Sequence, residues 1–189
     1  MKKGIVVLLA VILMAGVASA QIQFGVGGGI SKAMGDGSEY WKLGFNGRVT
    51  AFMPQSDNLH IGVMGAYNSI GMDIDAIIDD WGVDGMEGET DVKMSIIEII
   101  GAVKYFMTPQ FYLQAGGGLY MMKAKGDYSI SGFGEEEERS MDESESKPGI
   151  SLGAGFNMGS IGIAAFYNMV FTEDESTKYF TVNAMIGLN

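Results

Sequence analysis

The sequence predicts an all-β fold: an eight-stranded antiparallel up-and-down transmembrane β-barrel that follows a cleavable N-terminal signal peptide. Three observations predict it. Apolar residues recur at every second position over segments of bilayer-crossing length. The opposite face of those segments is rich in Gly and poor in charge, which suits a crowded interior better than open water. The connections between segments alternate between short turns and long polar links.

The clearest of these segments is the hairpin from Met94 to Tyr120. Ile97, Ile99, Gly101, Val103 and Tyr105 share one face, and Glu98, Ile100, Ala102, Lys104 and Phe106 the other. After the tight turn Thr108-Pro109-Gln110, Phe111, Leu113, Ala115, Gly117 and Leu119 alternate with Tyr112, Gln114, Gly116, Gly118 and Tyr120. A period of two over this length is that of a strand. Both charges of the hairpin body, Glu98 and Lys104, fall on the less apolar face. A Lys turned to lipid at mid-bilayer costs about 2–4 kcal/mol, so the parity predicts that this face points inward and the apolar one outward.

The chain opens with Lys2 and Lys3, an apolar run from Ile5 to Val17, and Ala18-Ser19-Ala20. This is the layout of a secretory signal cleaved before Gln21, and the apolar run is short for a membrane helix. The expected domains are a signal peptide over residues 1–20 and a barrel over residues 21–189. There is no Cys, which excludes disulfides, thiolate metal sites and a cysteine-linked lipid anchor. Without Lys2 and Lys3 the mature chain keeps 10 of 12 basic residues and all 23 acidic ones, a formal net charge of −13. That balance excludes a nucleic-acid partner, which calls for a basic footprint. No later segment holds the roughly 20 continuous apolar residues of a membrane helix.

Eight strands are expected over Ile22–Lys32, Trp41–Met53, Leu59–Ser69, Val92–Phe106, Phe111–Lys123, Gly149–Asn157, Ile161–Phe171 and Tyr179–Leu188. Pro54–Asn58, Met107–Gln110 and Met158–Ser160 read as short turns; Ala33–Tyr40, Ile70–Asp91, Ala124–Pro148 and Thr172–Lys178 read as long links. An even strand number lets the sheet close, leaving no edge for lipid to meet. Trp41, Tyr105, Phe106, Phe111, Phe171 and Tyr179 stand at strand ends, where aromatic girdles are expected.

At this point the chain resembles the small eight-stranded bacterial outer-membrane β-barrel proteins, the OmpX/OmpA-like and opacity-type group. Ile97-Glu98-Ile99-Ile100 leading to Lys104-Tyr105-Phe106 is similar to one strand of that family, with Ile100 where the family often has Pro. Phe111-Tyr112-Leu113-Gln114-Ala115-Gly116-Gly117-Gly118 is similar to its following Gly-rich strand. One departure is the ending Gly187-Leu188-Asn189, where such barrels carry an aromatic residue. The resemblance implies an outer-membrane location and lipid as the immediate partner.

Eight strands enclose a lumen that side chains can fill. Lys42, Arg48, Glu98, Lys104, Tyr112 and Tyr120 share the inward parity, and a packed lumen polar network is expected of them, since buried charges must be paired. Ile70–Asp91 and Ala124–Pro148 hold 16 of the 23 carboxylates, eight each, including the run Glu135–Glu138. Asp80, Asp84 and Asp91 echo a calcium loop, but the acidic third position and the final Glu are missing. Solvated like-charge loops are the expectation, with no cofactor, and Ca²⁺ is expected to leave the melting temperature unchanged. Asp75–Trp81 has the spacing of a helical turn that caps the rim or offers an apolar patch to a partner.

His60 is the only histidine, and it falls inward near the short turns; no G-x-S-x-G element is present. The expected protein is therefore a monomer with no enzymatic activity, serving envelope structure or contact with surface partners through its acidic loops. Two rivals remain at this level: a secreted, soluble lipocalin-like barrel with an apolar ligand inside, and a narrow pore for small solutes.

Overall fold

The computed structural model describes residues 22–73, 76–77, 80, 87–90, 92–132, 135–172 and 176–188; at 87–90, 127–132 and 135–141 it describes backbone alone. The expected signal peptide lies outside the described residues. Nine strands are present among them: β1 (Gln23–Met34), β2 (Gly44–Pro54), β3 (Leu59–Gly71), β4 (Glu87–Thr90), β5 (Lys93–Phe106), β6 (Phe111–Gly132), β7 (Glu135–Met158), β8 (Ile161–Phe171) and β9 (Ser176–Leu188). Eight of them form the barrel, in the order β1-β2-β3-β5-β6-β7-β8-β9, and β9 pairs back onto β1. Every pairing is antiparallel. Closure leaves the membrane-spanning part without an edge.

Local chemistry sets the short-turn rim. Between β5 and β6 the Thr108 hydroxyl accepts from the backbone N–H of Phe111 at 2.9 Å and of Gln110 at 3.3 Å, fixing a turn that carries Pro109. Between β7 and β8 only Gly159-Ser160 intervene, and Gly159 adopts φ +67°, a conformation that suits a two-residue hairpin.

The parity expected of the strands is the parity observed. Ile99, Val103, Leu113 and Ile163 face outward and are 58%, 42%, 46% and 53% exposed, whereas Arg48 and Glu98 are buried at 2% and 1%. An apolar belt that runs round the whole cylinder has no counterpart on a water-soluble surface, where contiguous apolar patches stay small. This orientation removes the soluble lipocalin-like reading. Among the described residues no helix is long and apolar enough to cross a membrane; the strands cross instead.

The structure corrects the sequence reading in four places. Where Ala124–Pro148 was expected as a link, β6 and β7 stay paired from Phe111↔Phe156 out to Gly132↔Glu135. Within the expected link Ile70–Asp91, β4 adds to β6 through Glu87↔Ser131 to Thr90↔Tyr128. The second strand starts at Gly44, after Lys42, and Trp41 makes an isolated bridge to Met72. Of the aromatic girdle, Tyr105 and Phe171 are outward and exposed, but Tyr179 is fully buried and Phe106 packs inside. The parity of Phe180 and Val182 already placed Tyr179 inward; proximity to a strand end was the misleading cue. Of Asp75–Trp81 only Ala76, Ile77 and Asp80 are described, each helical.

Candidate functional site in the barrel interior

Inward glycines clear space for large inward side chains. A Cβ on Gly155 would stand 2.2 Å from Tyr112 Cζ, and one on Gly153 would stand 2.3 Å from the Phe166 ring, so each glycine faces an aromatic on the neighbouring strand. Small and large residues thus alternate around the interior, so that side chains pack against one another across neighbouring strands.

The centre of the interior is a charged network. Glu98 on β5 is its hub. Arg48 on β2 donates to one carboxylate oxygen at 3.3 Å, while Asn68 on β3 and Tyr179 on β9 donate to the other at 2.6 and 2.8 Å. Both charged side chains are wholly buried. The Arg48 guanidinium also lies 4.0 Å from the Phe166 ring centroid, a stacking that a planar, weakly hydrated cation favours. Asn68 accepts from Ser31 of β1 at 2.9 Å, and Asn46 of β2 donates to Ser31 at 3.3 Å and to the Ile30 carbonyl at 2.9 Å. Five barrel strands, β1, β2, β3, β5 and β9, are tied together by one connected set of side chains. Tyr120 borders it, edge-on to Tyr179 at 6.5 Å.

Not all of the expected network meets at this hub. Arg48 and Glu98 pair, and Tyr120 lies next to Tyr179 at the edge of the network. Lys104 and Tyr112 form a second group nearer the short turns, with the Lys104 ammonium 4.4 Å from the ring centroids of both Phe52 and Tyr112. Lys42 joins neither. It precedes β2, its side chain is half exposed, and it stands 3.9 Å from Asp73 at the long-loop rim. Its parity was inward, but parity assigns a face only where the ladder continues. Asn68, Ser31 and Asn46 are full members that the sequence reading left among neutral inward residues.

Beyond the central network the barrel opens at both ends. A cavity of about 710 Å³ faces the short turns, lined by His60, Lys104, Gln114 and the turn residues Asn58 and Thr108 among others. A second, of about 630 Å³, faces the long-loop rim and includes Asp36, Trp41 and Lys178.

Above the long-loop rim, β4, β6 and β7 form a three-stranded sheet. β8 pairs with β7 only from Gly149 onward, so Glu135–Pro148 has β6 as its sole ladder partner among the described residues. Lys123 and Asp142 pair across this sheet at 3.0 Å, and the lysine holds the Asp142 carboxyl below its ordinary range. Asp80 accepts from the Tyr40 hydroxyl at 2.8 Å, which raises the phenol. Asp84 and Asp91 lie outside the described residues. Among the described residues no group of three or more His, Cys, Asp or Glu stands close enough to hold a metal ion.

The comparisons with known proteins agree with this architecture. Among curated proteins no sequence matches the chain. Among solved structures, Ail, the attachment invasion locus protein of Yersinia pestis, is similar with a TM-score of 0.52 and 16% identity, over 90% of this chain and 99% of that one. The same protein in complex with the heparin analogue sucrose octasulfate gives 0.53 and 18%, again over 90% and 99%. The N-terminal β-barrel domain of Pseudomonas aeruginosa OprF gives 0.54 and 9%, over 90% and 100%. These likenesses concern the fold. The model of the outer membrane protein beta-barrel domain matches residues 4–160, most of the chain, and with the outward apolar belt and the closed eight-stranded sheet it identifies this protein as a member of that outer-membrane barrel family.

Proposed function

We propose that this protein is a non-enzymatic, monomeric outer-membrane barrel that presents an acidic β-sheet above the membrane for contact with cationic surface partners. One observation carries the reading: over Glu135–Pro148 β7 has no ladder partner besides β6 among the described residues. An exposed edge offers a row of unpaired N–H and C=O groups on which an extended segment can add as a further strand. Along that segment the sequence places Glu135–Glu138, Asp142, Glu143 and Glu145 against Arg139 and Lys147. Such a surface attracts a basic segment and repels an anionic one. The sign of charge here is opposite to the one suited to an anionic heparin analogue.

The interior supports the structural part of the reading. The buried Arg48–Glu98 pair and its partners occupy mid-barrel, which suits a plugged cylinder better than a conducting one.

The test is a variant in which the outer hairpin, from Asp127 to Glu143, is replaced by a two-residue turn. Reconstituted in phosphatidylcholine nanodiscs, the parent is expected to bind a lysine-rich peptide in a salt-dependent manner and the trimmed variant to lose that binding while staying folded. Equal binding by both overturns the reading.

A further inference from the structure

We propose that the cavity facing the short turns is a binding site for a small oxyanion, carried on a carboxylate or a phosphate and held by Lys104. This site lies at the other end of the barrel from the acidic sheet, and the inference does not rest on the surface role proposed above.

Three observations carry it. Lys104 is mostly buried in the cavity wall and, among the described residues, has neither a salt bridge nor an oxygen acceptor; its ammonium contacts only the rings of Phe52, Tyr112 and Phe106, at 4.4, 4.4 and 5.9 Å. Ring faces hold the cation in place but leave its three N–H donors free. Second, His60, directly opposite Lys104 in the β3–β5 ladder, is buried at 7% exposure, and its Nδ1 has no hydrogen-bond partner among the described residues. Third, the cavity of about 710 Å³ falls in the size range of small-molecule sites, about 300–1,000 Å³.

The electrostatics select the ligand's sign. Arg48, deeper in the barrel, is already neutralised by Glu98. Among the residues lining this cavity the sole carboxylate is Asp57, in an exposed turn and without an ion pair to Lys104. A partly desolvated cation with no counter-charge is costly, and a bound anion supplies that charge. The walls then define the rest of the ligand. Phe52, Phe106 and Tyr112 give apolar surface beside the ammonium and Phe166 lines the same cavity, so an acid on a small apolar body fits better than a polyanion.

The experiment titrates the isotopically labelled protein, in zwitterionic phosphatidylcholine nanodiscs, with benzoate in one arm and inorganic phosphate in the other. Sodium chloride at matched ionic strength is the reference. The expected result is saturable movement of the backbone amides of Lys104, His60 and Gln114, which neighbour one another across β3, β5 and β6. Saturation with benzoate assigns an organic acid, and saturation with phosphate a phosphate group. Lys104→Met keeps an unbranched stem without charge and is expected to bind at least about tenfold more weakly. The proposal is overturned if neither anion saturates in the parent protein, if the shifts fall on the long-loop rim instead, or if Lys104→Met binds as well as the parent. The parent titrations decide the matter even where the variant does not fold.

Discussion

The hydroxyl of Tyr179 on β9 donates to the carboxylate of Glu98 on β5 at 2.8 Å, joining two strands that share no ladder. Hydrogen bonds between neighbouring strands close the cylinder, but only contacts across the lumen hold its cross-section. Glu98 makes such a contact because its second oxygen remains free for Tyr179 and Asn68 after Arg48 has taken the first.

Tyr179→Phe removes that donor and keeps the ring. Hydrogen bonds to charged groups contribute about 1.5–3 kcal/mol, and in a site closed to bulk water the loss is expected at that level. Reversible urea unfolding in lipid vesicles measures it through the midpoint. An unchanged midpoint would show that the contact across the lumen is incidental.

The Arg48–Glu98 pair makes a sharper demand. Glu98→Gln leaves the guanidinium buried over Phe166 with no counter-charge, and breaking one side of a buried pair costs about 3–5 kcal/mol. Removing both charges, with Arg48→Met and Glu98→Gln together, removes the uncompensated charge as well. The double variant is therefore expected to be more stable than Glu98→Gln alone. A double variant whose loss equals the sum of the two single losses contradicts the pairing.

These predictions rest on residues that the sequence made legible to different degrees. Glu98 and Arg48 were readable because a charge within an alternating apolar strand has one tolerable side. Tyr179 was harder to place, since an aromatic at a strand end suits an interfacial girdle and a lumen equally well until the parity of Phe180 and Val182 is imposed. The outer hairpin was hidden by the run Glu135–Glu138, which as an isolated segment favours a solvated loop. It extends as a ladder because the membrane-embedded parts of β6 and β7 have already set the register, so each further pair adds without a new loop closure. Opposite charges such as Lys123 and Asp142 then meet across the sheet.

The glycines divide by what stands opposite them. A Cβ on Gly118 of β6 would lie 2.0 Å from the Ile99 carbonyl oxygen and 2.8 Å from Ile100 Cα, both backbone, so the strands themselves must yield. Gly118→Ala is expected to cost about 1–3 kcal/mol by overpacking. Gly47 on β2 faces outward with nothing within 4 Å of its Cβ position. Gly47→Ala is expected to be neutral or slightly stabilising, since alanine restricts the unfolded chain. Side-by-side unfolding midpoints check the contrast, and equal losses at both positions would show that glycine content, not close strand approach, sets the effect.

The outward face makes the last prediction. Ile99 is 58% exposed midway along β5, flanked on the same face by Ile97 and Gly101, and its neighbour Glu98 is 1% exposed on the other face. In a bilayer the Ile99 side chain meets hydrocarbon. Ile99→Lys is therefore expected to destabilise the barrel by about 2–4 kcal/mol at this depth. Ser95→Lys, four residues nearer the long-loop rim on the same face, falls toward the interface, where the cost drops to about 0–1 kcal/mol. Unfolding measured in lipid vesicles separates the two positions. The gradient itself is diagnostic, because on a water-exposed surface both lysines are tolerated alike, and only a hydrocarbon layer makes the penalty grow with distance from the rim.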